Sequence, residues 1–224
     1  PYTFGQLIQP DKLDEIFANL QKKSNAFIDI GIFNADGLHV AYHGPFELAG
    51  KMYKEEEWFQ KVIEHGYYVS DVFLGFRKIP HFIIAVVKQE GKSYWVLRAT
   101  IDPSYFSDVV EEIRIGKTGE AYLLNKAGQF QTKRRSGGDL MEPDPELAAQ
   151  IRRHSGVETF VKKGTDGDQY VYATMWLTGQ DWVLVTRQDK AEAYRGLNRL
   201  TYMVIILALL GGLVIVTTAF QVTR

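Results

Sequence analysis

The run from Thr201 to Phe220 constrains this chain more than any other stretch. No charged residue occurs between Leu200 and Thr223. At about 1.5 Å per residue, roughly 20 helical residues cross the ~30 Å hydrocarbon core of a bilayer. Tyr202 and Phe220 stand at its ends, where interfacial aromatics collect. The run predicts a transmembrane helix over 201–220, with a folded body before it. The N-terminus, Pro1-Tyr-Thr-Phe4, lacks the basic and apolar regions of a signal peptide; if the body lies outside the cell, an export segment is expected ahead of it. Arg195 and Arg199 flank one end of the run and Arg224 the other, so basic residues do not orient it.

The body reads as an ordinary globular protein. Lys+Arg 26 against Asp+Glu 27 leaves a net charge of -1, which argues against a nucleic-acid binder. Cys is 0, which removes disulfides, thiolate catalysis and Cys-ligated metals.

Hydrophobic periodicity divides the body. Leu13, Ile16, Phe17 and Leu20 recur at helical spacing within 10–23. Residues 26–34 switch to strand chemistry, Asp36-Gly37 turns, and 38–43 return. A helix over 55–65 carries Trp58, Phe59, Val62 and Ile63 on its inner side. Strands over 67–75, 80–89 and 93–102 and a helix over 103–112 follow. The order then partly repeats: Asn125-Lys-Ala-Gly128 echoes Asn34-Ala-Asp-Gly37. A strand over 120–125 with a return over 129–132, a helix over 145–153 and strands over 157–163, 169–176 and 182–187 make a second sheet. A last helix, 189–200, leads into the apolar run. The pattern is α+β, two antiparallel-sheet modules in series. The expected division is an N-terminal helix over 1–25, modules over 26–112 and 113–188, a connecting helix over 189–200 and the span.

Several phrases then carry a resemblance. They are Phe33-Asn-Ala-Asp-Gly37, Trp58-Phe59, Tyr68-Val-Ser-Asp-Val72, Pro80-His-Phe-Ile-Ile-Ala85, Leu97-Arg-Ala-Thr-Ile-Asp102 and Ile115-Gly-Lys-Thr-Gly-Glu-Ala-Tyr122. In this order they resemble the double-Cache extracytoplasmic sensor of bacterial membrane receptors, above all that of transmembrane histidine kinases. The resemblance implies two PAS-like modules, a long N-terminal helix, a ligand in the membrane-distal module and a homodimeric receptor in the inner membrane. It places residues 1–199 outside the cytoplasm and a kinase output beyond Arg224. Outputs of chemotaxis receptors or diguanylate cyclases are the alternatives within the class. A membrane-anchored enzyme or adhesion module is the alternative outside it, and no catalytic constellation supports that reading.

The strand over 93–102 points to a site. One face carries Trp95, Leu97, Ala99 and Ile101; the other carries Tyr94, Val96, Arg98, Thr100 and Asp102. Such a polar face is often simply solvated. Here the helix with Trp58 and the long loop over 42–54 need a face to cover. Arg98 and Asp102 lie about 13 Å apart on a strand, too far to neutralise each other. The resemblance adds Trp58, Tyr68 and Ser70 and repeats Asp102. It also shows a departure: the amino-acid-binding subfamily has an Arg at the position of Glu56 and an Asp at that of Ser70. Arg77 and His81 supply other donors. An organic acid suits Arg77, His81 and Arg98, because guanidinium forks match carboxylates. The expected ligand site is therefore Trp58, Tyr68, Ser70, Arg77, His81, Arg98, Thr100 and Asp102, with no catalytic residue, no cofactor and no metal. His39 and His43 are about 13 Å apart on a strand and cannot share a metal ion. The expected partners are a small-molecule ligand, membrane lipid and a second copy of the chain, and no nucleic acid.

Overall fold

The computed structural model describes residues 2–113, 115–164, 166–196 and 201–209. Two helices open the chain. α1 (Phe4–Leu7) is capped by Thr3, and α2 (Pro10–Gln21) starts on Pro10, whose fixed φ suits a first helical position. The residues expected as one N-terminal helix are thus two elements meeting at that proline.

The first sheet has the order β2-β1-β5-β4-β3, all antiparallel. Its strands are β1 (Phe27–Phe33), β2 (His39–His43), β3 (Tyr67–Val69), β4 (Phe82–Glu90) and β5 (Ser93–Ile101). The β1–β2 turn is built as its sequence requires. Asn34 Oδ1 accepts from the Asp36 and Leu38 amides at 3.1 and 2.9 Å, and Gly37 takes φ 82°. One face of the sheet packs Ile30, Ile32 and Trp95 against Leu13 and Phe17 of α2. The other packs Phe33, Ile83, Ala85 and Val96 against Trp58, Phe59 and Val62 of α3 (Glu57–His65). Each large side chain so buried is worth about 1.5–3 kcal/mol.

α4 (Pro103–Glu111) connects to the second sheet, ordered β6-β9-β8-β7. Its strands are β6 (Glu120–Asn125), β7 (Val157–Lys163), β8 (Gln169–Trp176) and β9 (Trp182–Asp189). The repeated Asn signal makes the same turn here. Asn125 Oδ1 accepts from the Ala127 and Gln129 amides at 3.0 and 2.9 Å, with Gly128 at φ 78°. Val72, Phe82, Ile101, Val110, Ala121, Leu123 and Trp182 form one cluster joining the two sheets. The architecture is α+β with two antiparallel sheets, as the sequence pattern implies.

Several boundaries differ from the sequence reading. β3 stops at Val69, because Ser70 Oγ accepts from the Ile83 amide at 3.0 Å and the chain then crosses toward the second sheet. The return over 129–132 meets β6 only through the bridge Leu124–Phe130, with Gln129 bridging to Pro143, since Thr132 Oγ1 takes the Leu123 amide at 2.9 Å. α5 covers only Pro145–Ala148; the Arg152 carbonyl is claimed by the Trp176 indole at 3.0 Å. β9 runs through Asp189, which caps α6 (Lys190–Ala193). Of the expected span, 201–209 are helical and exposed, and 210–220 lie outside the described residues, as do 197–200 of the connecting helix. Among the described residues no helix is long and apolar enough to cross a membrane.

Candidate functional site

Strand alternation builds the site. β5 aims Val96, Arg98 and Thr100 at the side under α3, while Trp95, Leu97 and Ala99 face α2. On β1, Asp29, Gly31 and Phe33 share the α3 side, with Thr100 opposite Asp29 and Arg98 opposite Gly31. The loop between β2 and α3 folds over this face and brings Phe46, Leu48 and Tyr53.

Arg98 is 1% exposed. Its guanidinium carbon lies 4.8, 4.9 and 5.0 Å from the ring centres of Phe33, Tyr53 and Trp58. Its Nε and Nη2 have no hydrogen-bond partner. Burial pushes Arg98 down to about 10, and the nearby Arg77 adds to the depression. It remains a cation at neutral pH. A desolvated cation–π contact is worth about 2 kcal/mol. The effective cost of burying a charge is several kcal/mol, which the aromatic box opposes.

Arg77 is the opposite case. Its Nε and Nη2 donate to the two carboxylate oxygens of Asp29 at 2.8 and 2.6 Å. Nη2 also donates to Thr100 Oγ1 at 2.9 Å, and Nη1 lies 3.2 Å from His81 Nε2. His81 Nδ1 donates to the Ile79 carbonyl at 2.8 Å, so Nε2 is the acceptor from Arg77. Burial pushes His81 down to about 4, which fits that neutral form. Tyr42 donates to Asp29 Oδ2 at 3.4 Å and is pushed up to about 12, by burial first and by Asp29 second.

Two more buried polar atoms lie unpaired beside Arg98. His39 Nδ1 donates to the Leu48 carbonyl at 2.9 Å, which leaves Nε2 as a lone-pair acceptor without a partner. Burial pushes His39 down to about 3, with Arg98 and Arg77 contributing to the depression. Its ring stacks on Phe33 at 4.2 Å. The Tyr53 hydroxyl lies close enough to Arg98 to favour its charge by charge attraction and a hydrogen-bonding contact, outside ordinary hydrogen-bond geometry.

Of the residues expected from sequence, Trp58, Arg77, His81, Arg98 and Thr100 meet on this one covered face. Tyr68 stands at its β3 edge, half-buried, with the Lys61 ammonium 5.2 Å from its ring centre. Ser70 lies beside Ile83 in the same row as Thr100, but its hydroxyl is spent on the Ile83 amide and the Asp71 carbonyl. Asp102 ends up outside the group. It caps α4, accepting from the Ser104 amide at 2.8 Å and from the Ser104 hydroxyl. Asp29, His39 and Tyr53 are central to the site and were not singled out for it from sequence. A lone Asp in the apolar strand 27–33 was the available signal, because a carboxylate buried there requires a partner.

A desolvated guanidinium with unpaired nitrogens thus lies between a sheet and the helix that covers it. The comparisons agree in class. The chain belongs to the Cache domain family, whose model dCache_1 matches residues 5–197. It is a ligand-binding sensor domain of that family, a class of non-catalytic extracytoplasmic domains of membrane receptors. The fold is similar to the extracellular domain rpHK1S-Z16, assigned to a histidine kinase, with a TM-score of 0.64, 16% identity and coverage of 80% of this chain and 77% of that one. It is also similar to the ligand-binding domain of the Pseudomonas aeruginosa PAO1 amino acid chemoreceptor PctB in complex with L-Arg, at TM-score 0.61 and 15% identity, covering 85% and 88%. The ligand-binding domain of Mlp24 with asparagine matches at TM-score 0.60 and 14% identity, covering 86% and 82%. No curated protein matches the sequence.

Proposed function

We propose that this chain is the extracytoplasmic sensor region of a transmembrane receptor that binds a small organic anion over the first sheet. The observation that carries the ligand is Arg98: a buried cation with two N–H groups unpaired and one neighbouring carboxylate already taken by Arg77. Trp58, Tyr68, Ser70, Arg77, His81 and Thr100 are its proposed surroundings, with Asp102 at the sheet's end. The membrane claim rests on the uncharged run 201–220 together with the extracytoplasmic character of Cache domains.

The finer reading is a double-Cache arrangement. Residues 26–112 form the membrane-distal, ligand-binding module and 113–188 the membrane-proximal one; 189–200 lead into a helix in the inner membrane. The active receptor is a homodimer whose span contacts lipid, and its output is a histidine kinase beyond Arg224. The likeness to PctB and Mlp24 supports a chemotaxis output as the second reading. The reading frame past Arg224 separates them: a His-bearing dimerisation helix and an ATP-binding domain decide for the kinase.

The ligand claim is tested by thermal shift on the 224-residue chain, since a ligand that binds only the folded state raises Tm. Organic acids should stabilise, and the Arg98→Met variant should lose that response. Stabilisation by amines or nucleobases alone would remove the anion reading.

A further inference from the structure

The unpaired atoms beside Arg98 specify more than an anion. We infer that the ligand is a hydroxy-carboxylate, its carboxylate on Arg98 and its hydroxyl donated to His39 Nε2; this rests on the proposed anion-sensing role of the same site.

Charge comes first. Asp29 is the carboxylate bonded within this face, and Arg77 occupies both of its oxygens. His81 and His39 are neutral, because burial holds both well below neutral pH. Arg98 is therefore one positive charge buried without a hydrogen-bonded counter-ion. A monoanionic group neutralises it. A zwitterionic amino acid leaves it uncompensated, and the ammonium would lie between two guanidiniums with no free carboxylate to receive it.

Hydrogen-bond polarity comes second. Arg98 Nε and Nη2 are donors only. His39 Nε2 is an acceptor only, since Nδ1 carries the proton that goes to the Leu48 carbonyl. The Tyr53 hydroxyl donates or accepts. The ligand must thus present acceptors on one side and a donor on the other. A deprotonated acid without a hydroxyl supplies only the first, and leaves the His39 lone pair buried and unmet.

Geometry brings the two together. Arg98 pairs directly across from Gly31. A Cβ at Gly31 would fall 2.0 Å from His39 Nε2, so the imidazole rests on the strand where that side chain is missing. Phe33 touches all three groups: its ring centre is 4.2 Å from that of His39, 5.0 Å from that of Tyr53 and 4.8 Å from the Arg98 guanidinium carbon. Donors and acceptor thus flank Gly31 from its two neighbouring strands.

The test compares matched probes on the full chain by calorimetry: lactate, propionate and alanine, then malate, succinate and aspartate. Lactate and malate should bind about tenfold more tightly than propionate and succinate, the usual size of one hydrogen bond to a buried group. In His39→Phe the preference should fall to near unity while propionate binding persists; His39→Gln, which keeps an acceptor, should retain part of it. Equal binding of hydroxy and deoxy acids by the unaltered protein would overturn the hydroxyl assignment and leave anion sensing standing. Binding of alanine above both lactate and propionate, or of no probe acid at all, would overturn the anion reading as well.

Discussion

Arg77 and Asp29 form a closed pair, joined by two hydrogen bonds of 2.8 and 2.6 Å with side chains 2% and 0% exposed. The closure matters because it consumes the site's carboxylate. Removing either partner strands a buried charge. Asp29→Ala and Arg77→Ala should each cost about 3–5 kcal/mol in urea unfolding. The double variant Asp29→Leu/Arg77→Met should recover much of that loss. Additive losses in the double variant would mean that the two residues act separately.

Arg98 should behave in the reverse sense. Its charge is buried without a hydrogen-bonded counter-ion, so Arg98→Met removes a desolvation cost and keeps contact with Phe33, Tyr53 and Trp58. The unliganded variant should melt at or above the temperature of the unaltered protein. A loss comparable to that of Arg77→Ala would show a structural role instead.

The two buried histidines predict acid sensitivity. Both are held neutral, near about 3 for His39 and about 4 for His81, against 6.5 for a free histidine. Below pH 6.5 the unfolded chain takes up protons that the folded chain refuses, so stability falls as pH falls toward 4. The slope is about 1.4 kcal/mol per pH unit for each histidine. Chemical unfolding between pH 7.5 and 5 should show it, and His81→Gln should lower the slope. An unchanged slope would place that histidine's proton in the folded state.

Asp71 joins the two sheets. Its carboxylate accepts from Trp182 Nε1 at 2.6 Å and from Asn125 Nδ2 at 2.9 Å. Asp71→Ala should cost about 1–3 kcal/mol and leave the Trp182 indole N–H without its acceptor. A change in tryptophan emission that is absent from Asp71→Asn, whose amide oxygen still accepts, would tie the effect to that bond.

Much of the frame is visible in the sequence, because it rests on local rules. The alternation in β5 separates Arg98 and Thr100 from Trp95 and Leu97, and the spacing in α3 turns Trp58, Phe59 and Val62 inward. Asn34 and Asn125 announce their turns by residue type. What stays hidden depends on partners distant in the chain. Asp29 is 48 residues from Arg77, and nothing near it announces the pair. His39 sits where it does because Gly31 lacks a Cβ, a cross-strand fact. Asp102 is different: Asp-Pro-Ser is a legible cap and first turn, and its carboxylate serves that local role.

Ser70 and Asp71 are consecutive, yet one is bonded to β4 of the first sheet and the other to Trp182 and Asn125 of the second. A planar peptide fixes their Cα separation at about 3.8 Å and leaves only soft rotations on either side. The joint therefore has almost no slack. A sideways step of β4 relative to β3 would load the Asp71 carboxylate directly, because no residue stands between the two anchors. In mechanical terms the two sheets share a pinned linkage at Ser70 and Asp71.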